Sequence, residues 1–173
     1  MRLFLLFAVV VAAPVSAQAQ ALKGHNANAP VDVDADRIEV QDRADRAIFS
    51  GNVKVRQGGL ALNAARLTVA YSRAGGGPTI QRIDASGGVT VRSASETASG
   101  SFAIYDLNRR LITMIGSVTL NQGANVVRGG RLVIDLNSGR SVIDGSAVGG
   151  TPGVSGGTGG RVTGRFSVPQ RTN

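Results

Sequence analysis

An all-β fold with almost no helix is predicted for this chain, from three observations. A glycine-led word recurs: Gly51-Asn52-Val53-Lys54-Val55, Gly87-Gly88-Val89-Thr90-Val91, Gly116-Ser117-Val118-Thr119-Leu120, and a last echo at Gly145-Ser146-Ala147-Val148. Its offsets are 36, 29 and 29 residues (87−51, 116−87, 145−116). A near-constant spacing of this size, filled with short alternating segments, marks a stacked β architecture in which each unit repeats the last. The second observation is strict apolar/polar alternation between residues 31 and 144. The third is that no segment there carries apolar residues at the 3.6-residue spacing of a helix.

The elements follow in order. Met1-Arg2, an apolar run of eleven residues from Leu3 to Ala13, Pro14 and the small residues Val15-Ser16-Ala17 read as a cleavable secretory signal, residues 1–17. Cleavage after Ala19 or Ala21 is an alternative, and the run falls short of the about 20 residues a membrane span needs. Residues 18–29 read as a flexible leader. The β domain is expected over residues 30–145. Val31-Asp32-Val33-Asp34 opens the alternation, residues 35–40 continue it, and Gln41-Asp42-Arg43-Ala44 is a turn. Ala47-Ile48-Phe49-Ser50 runs up to the first glycine. Residues 53–56 form a strand, Gln57-Gly58-Gly59 a turn, and residues 60–62 and 66–71 two further strands. Ala74-Gly75-Gly76-Gly77-Pro78 is a loop that lengthens the first offset. Strands are then expected at 79–85, 89–91, 102–105, 111–115, 118–120, 126–127, 132–136 and 141–144, with turns at 106–108, 121–123 and 137–139. Each repeat glycine is expected to open a short strand. From Gly145 the composition changes: nine of the twenty residues 145–164 are glycine, so residues 146–173 are expected to be a disordered Gly/Arg-rich tail.

Composition narrows the chemistry. Cysteine is absent, so neither disulfides nor a cysteine-linked lipid is available. The net charge of +8 comes from nineteen cations, seventeen of them arginine, and becomes +7 if Arg2 leaves with the signal. Such a balance often marks nucleic-acid binding, but export and an aromatic content of 4% argue against it and leave anionic lipids and glycolipids as acidic partners. The single histidine, His25, lies in the leader, which leaves little material for zinc sites or Ser-His nucleophiles. Asp84, Asp135 and Asp144 are the strand-associated carboxylates, and no spacing selects a catalytic pair among them. No enzyme, cofactor or metal site is expected.

The apolar columns are the chemistry that remains. Phe49 and Met114 are equivalent, two residues before their glycines, as are Ala85 and Ile143; Val53, Val89 and Val118 follow two residues after. Val55, Val91 and Leu120 extend them, and Leu67, Val69, Phe102, Ile104, Leu132 and Ile134 are assigned to a facing wall. Medium-sized side chains without tryptophan fill two curved sheets sparsely, which leaves two readings open: a filled core, or an interior with room for a ligand.

Asp36-Arg37-Ile38-Glu39-Val40, the words from Phe49 to Gly58, Leu62-Asn63-Ala64-Ala65-Arg66-Leu67 and Ile115-Gly116-Ser117-Val118-Thr119-Leu120 resemble the OstA-like family of periplasmic lipopolysaccharide-transport proteins, the LptA family, over roughly residues 30 to 144. The resemblance implies an open, twisted, V-shaped β-jellyroll of antiparallel strands. It implies a periplasmic carrier and bridge that shields lipopolysaccharide (lipid A) acyl chains between inner and outer membranes and contributes to outer-membrane assembly. The groove would be lined by Val31, Val33, Ile38, Phe49, Val53, Val55, Leu62, Leu67, Val69, Val89, Phe102, Ile104, Met114, Val118, Leu120, Leu132 and Ile134. The partners implied are the inner-membrane transporter complex with its anchored OstA-like subunit, the outer-membrane translocon and further copies joined end to end, with no nucleic acid. Arg37, Arg56 and Arg66 are candidates for lipid phosphates. The alternative function is a structural or adhesive β-solenoid without ligand.

Overall fold

Alternation in this sequence runs longer than its punctuation suggests, and the strands are correspondingly long. The computed structural model describes residues 25–73, 77–145 and 161–167. Its strands are β1 (Asp32–Asp34), β2 (Arg37–Gln41), β3 (Arg46–Gln57), β4 (Leu60–Ser72), β5 (Thr79–Arg92), β6 (Glu96–Asp106), β7 (Leu111–Gln122), β8 (Asn125–Asp135), β9 (Arg140–Asp144) and β10 (Thr163–Arg165). A 3₁₀ turn at Asp42–Ala44 is the single helical element among the described residues. The strands β3 to β8 form an antiparallel meander, each paired with the next.

The repeat glycines do not open strands. Gly51-Asn52, Gly87-Gly88 and Gly116-Ser117 lie inside β3, β5 and β7, and both residues of each pair have positive φ (79° and 46°, 84° and 79°, 86° and 48°). The ladder skips at each pair: Ser50 pairs with Arg66 but Val53 with Ala64, Ser86 with Phe102 but Val89 with Gly100, Ile115 with Arg131 but Val118 with Gly129. Two residues oppose one, which is a β-bulge that bends and twists the strand. The bulges align into a seam across the sheet. At Gly116 the left-handed backbone coincides with crowding, because a Cβ there would sit 2.7 Å from Ser101 Oγ.

The seam divides the sheet into two halves. One holds β2, the first part of β3, and so on to β9; the other holds β1, the second part of β3, and so on to β10. At each edge the pairing is shared between two short strands: β2 takes residues 46–50 of β3 and β1 takes 54–56, while β9 takes 131–135 of β8 and β10 takes 126–128. The first and last strands do not pair with each other, so the jellyroll is open. All pairings are antiparallel, so each repeat is a bent hairpin and the solenoid alternative does not describe this chain.

The core lies between the halves. In the β2–β9 half one inward row runs Ile38, Phe49, Leu67, Ala85, Ala103, Met114, Leu132, Ile143. This is the column of Phe49, Ala85, Met114 and Ile143 expected from the repeat, interleaved with residues of the even strands. In the other half Val55, Leu62, Val91, Ala98 and Leu120 share a row. Leu67, Met114 and Leu132 have no exposed surface. At ~25 cal/mol per Å² such burial is the main stabilising term for a chain without disulfides.

Two expectations at the termini need correction. The end of the leader is not loose: Ala29 N–H donates to Asn26 O at 3.1 Å, and Gln57 Nε2 donates to the carbonyls of Ala27 and Ala29 at 3.0 and 3.1 Å. The tail is not disordered throughout: β10 pairs with β8, and Ser167 N–H donates to Asn125 Oδ1 at 3.0 Å. β10 takes the edge of β8 at Val126–Arg128 that β9 does not cover, which the glycine-rich composition did not reveal. The segment read as a signal, the first part of the expected leader and residues 74–76, 146–160 and 168–173 lie outside the described residues.

Candidate functional site: an apolar cleft with a polar clasp

A cleft opens between the two halves. Val31, Val55, Gln57, Leu60 and Leu62 line it from one side and Ile83, Ala103, Tyr105 and Ile112 from the other. Its free interior is about 20 Å³, room for about one water, and its exposed lining is apolar. That is far below the roughly 300–1,000 Å³ of small-molecule pockets, so the halves are nearly closed on one another.

Two polar residues clasp the halves together. Tyr105 Oη donates to Gln57 Oε1 at 3.0 Å, and both residues are buried, at 6% and 3% exposure. Gln57 Nε2 holds the turn of residues 26–29, so the carboxamide satisfies both its acceptor and its donors in an apolar setting. Burial raises the Tyr105 phenol above its ordinary value of 10.0, opposed by the charge of Arg110 and the bond to Gln57. The 26–29 turn reaches the opposite lip as well, where Arg110 Nη2 donates to Asn28 Oδ1 at 2.9 Å. His25, expected outside the fold, is half-buried beside it; burial lowers its pKa and Gln57 opposes the shift.

Of the groove residues named from sequence, Val53, Val55, Leu62, Leu67, Val69, Val89, Met114, Val118, Leu120, Leu132 and Ile134 are buried between the halves. Val31, Val33 and Phe49 are half-buried against them. Ile38 lies in the inward row but is 57% exposed at the sheet edge. Phe102 and Ile104 are misplaced. Phe102 pairs with Ser86 and Ile115 and shares its row with Arg66 and Arg131; Ile104 pairs with Asp84 and Thr113. Both lie on the outer face, around a shallow depression of about 310 Å³ with Arg66, Thr68 and Ile115. The bulged pairs lie on β5 and β7, so β6 crosses the seam with one residue fewer than its neighbours, and a one-residue slip turns every side chain to the other face. The repeat offset held the answer: 36 residues from Leu67 is Ala103, and 36 from Val69 is Tyr105. Arg37 and Arg66 share that outer row, and Arg56 pairs with Asp32 and Ala61 in another, so none of the three arginines faces the cleft. Gln57, Leu60, Ile83, Ala103, Tyr105 and Ile112 were missed. Ile83 and Ile112 were legible as the residues two before Ala85 and Met114, whereas Gln57 looked like a turn residue.

The three strand carboxylates have structural roles. Arg82 holds Asp84 at 2.7 Å, Arg131 approaches Asp144 at 3.8 Å, and Asp135 Oδ1 accepts from Asn137 N–H at 2.8 Å. That bond, with others from Ser138, lowers the Asp135 pKa. Asp84 lies three strands from Asp135. Among the described residues no three His, Cys, Asp or Glu side chains gather as a metal site.

Residues 32–140 match the family described as LptA/(LptD N-terminal domain) LPS transport protein. The chain belongs to this family. A relative from Rhizobium meliloti (strain 1021), described as uncharacterised, is 34% identical over 146 residues, covering 81% of this chain and 78% of the relative. The crystal structure of LptH, the LptA-homologous periplasmic component of the lipopolysaccharide transport device of Pseudomonas aeruginosa, superposes with a TM-score of 0.68 at 17% identity, over 82% of this chain and 98% of that one. The LptA jellyroll is therefore the fold of this chain, and its family is one of lipopolysaccharide transport.

Proposed function

We propose that this LptA-family chain carries lipopolysaccharide through the periplasm with its acyl chains between the two sheet halves. The observation that carries the reading is the apolar cleft, continued toward the first sheet edge by the exposed inward side chains of Ile38 and Val40. Each methylene left in water costs about 0.8 kcal/mol, so a chain of about a dozen carbons would cost on the order of 10 kcal/mol uncovered. A cleft that takes the chain in removes most of that barrier with no bond made or broken. Loading requires the halves to part, because the closed cleft is narrow and the neighbouring core side chains are packed.

The strand edges support the bridging role. β2 and β9 each leave an unpaired ladder, a template for strand addition by the inner-membrane transporter's anchored OstA-like subunit, the outer-membrane translocon or a second copy. Export by the amino-terminal signal would bring the chain to these partners. The test is photocrosslinking in cells from probes at Val55, Phe49 and Ile112, with Phe102 and Ile104 as outward-facing controls. Lipopolysaccharide adducts are expected from the inward set. Adducts from the outward pair alone overturn the cleft as the carrier.

A further inference from the structure

The hairpin joining β6 to β7 and the hairpin joining β8 to β9 are copies. Asp106-Leu107-Asn108-Arg109-Arg110 and Asp135-Leu136-Asn137-Ser138-Gly139 are offset by 29 residues, the period of the repeat. Asp106 and Asp135 each accept a backbone N–H of their own turn. The fifth position is left-handed in both, with φ of +69° at Gly139 and +56° at Arg110. Glycine takes that conformation freely and a long side chain does so against steric resistance. Arginine at this place is strained where its repeat partner is not. Strain of this kind points to a use for the side chain.

That side chain lies at the mouth of the cleft. It is half-buried, its charge acts on the buried Tyr105 phenol, and its guanidinium donates to Asn28 Oδ1 at 2.9 Å and Asn137 Oδ1 at 3.4 Å. The Asn28 carbonyl is a neutral oxygen presented by a tight turn (Asn28 N–H to Asn26 Oδ1, 3.0 Å) that is anchored to Gln57 on the opposite lip. A guanidinium prefers an anionic oxygen to an amide one.

We infer that Arg110 is the headgroup-binding residue of the cleft, and that the turn of residues 26–29 is a strap whose Asn28 oxygen holds its place until an anionic amphiphile, phosphate- or carboxylate-bearing, displaces it. The inference rests on the acyl-chain reading above and adds a binding residue and an entry gate to it. Entry of a chain beside Val31 and Tyr105 pulls the strap from Gln57, and Arg110 exchanges Asn28 for the headgroup. Sequence reading passed over both parts: Arg110 sits in a turn, and the strap lies in the alanine- and asparagine-rich leader.

The experiment uses the full mature chain and three probes with the same alkyl tail: dodecyl phosphate, dodecanoate and the uncharged glycerol monododecanoate, each titrated calorimetrically below its aggregation concentration. Arg110→Gly installs the residue that the next repeat uses, so the fold is kept and the melting temperature is expected not to fall. Its affinity for the anionic probes is expected to drop about tenfold, with the glycerol ester unchanged. Whichever anionic probe loses more identifies the headgroup chemistry. Asn28→Ala removes the competing oxygen and is expected to tighten anionic binding by a factor of about three. A spin label at Ala27→Cys, unique in a chain without cysteine, is expected to become mobile on saturation with either anionic probe. Equal loss for charged and uncharged probes, no loss for any of them, or a label that stays immobile at saturation overturns the inference and leaves the cleft reading standing. Failure of all three probes to bind the unaltered chain overturns the cleft reading itself.

Discussion

The inward row from Ile38 to Ile143 is one line of side chains with two different ends. At its last strand Ile143 packs against the core, and in its middle Met114 and Leu132 have no exposed surface. At its first strand Ile38 is 57% exposed, and Val40, two residues on and on the same face, matches it. The edge strands β2 and β9 are equally long, five residues each, and both carry apolar residues inward. Burial is set by what stands opposite. The inner face of β2 has no facing wall, so the apolar interior emerges there into solvent, which is where the proposed function would have a lipid or a neighbouring strand meet it.

Substitutions along this row test the contrast. Leu132→Ala should cost about 2–5 kcal/mol, because it removes buried methyl groups and leaves a cavity that packed neighbours cannot fill. Denaturant unfolding measures it, and a loss under about 1 kcal/mol would mean that the middle of the row is not tightly packed. Tyr105→Phe comes next. It leaves Gln57 Oε1 buried without its donor and should cost about 1–3 kcal/mol. It also alters the response to alkali. The phenol is raised in the folded state, so the stability it contributes is complete below the unfolded value of 10.0 and is lost as pH rises through the higher folded value. Unfolding midpoints taken across that range should fall for the unaltered chain by more than for Tyr105→Phe.

The seam gives a smaller effect. Gly116→Ala forces a Cβ into a left-handed residue and against Ser101 Oγ, and should cost at least about 1–2 kcal/mol by thermal unfolding. Gly88→Ala shares the positive φ but meets nothing within 4 Å, so it should cost less; equal losses would show that crowding at the seam is unimportant. Smallest is Ile38→Ala, expected within about 0.5 kcal/mol for a side chain outside the packed core. Its effect should appear instead in crosslinking to lipid or to a partner strand, and a large stability loss would break the comparison of the two ends.

Much of this was legible from the residues. Alternation marks the strands, and the repeat alone puts Phe49, Ala85, Met114 and Ile143 at equivalent positions, which the fold sets in one row. The failures are specific. Phe102 and Ile104 do not join Leu67 and Val69 on the inner face, because they lie 35 residues on, one short of the repeat's own 36-residue offset. Gln57 was read as a turn residue, and only the fold sets it against Tyr105, 48 residues away. The leader and tail were read from composition, which is blind to the open ladder of β8 and the carbonyl-binding side chain of Gln57 that order their described parts.

By itself the sequence determined the strand class, the period, the apolar columns and the family, because each is a local pattern with a fixed geometric meaning: alternation assigns faces, and glycine permits left-handed backbone. Tertiary structure decided that the glycines bend strands instead of starting them. It also decided that the sheet folds on a seam to face its own halves, and that Gln57, Tyr105, Asn28 and Arg110 meet at one mouth. These are matters of register and long-range approach. A single inserted residue reverses a face, and contacts between residues as far apart as Asn28 and Arg110 leave no trace in any window of the chain.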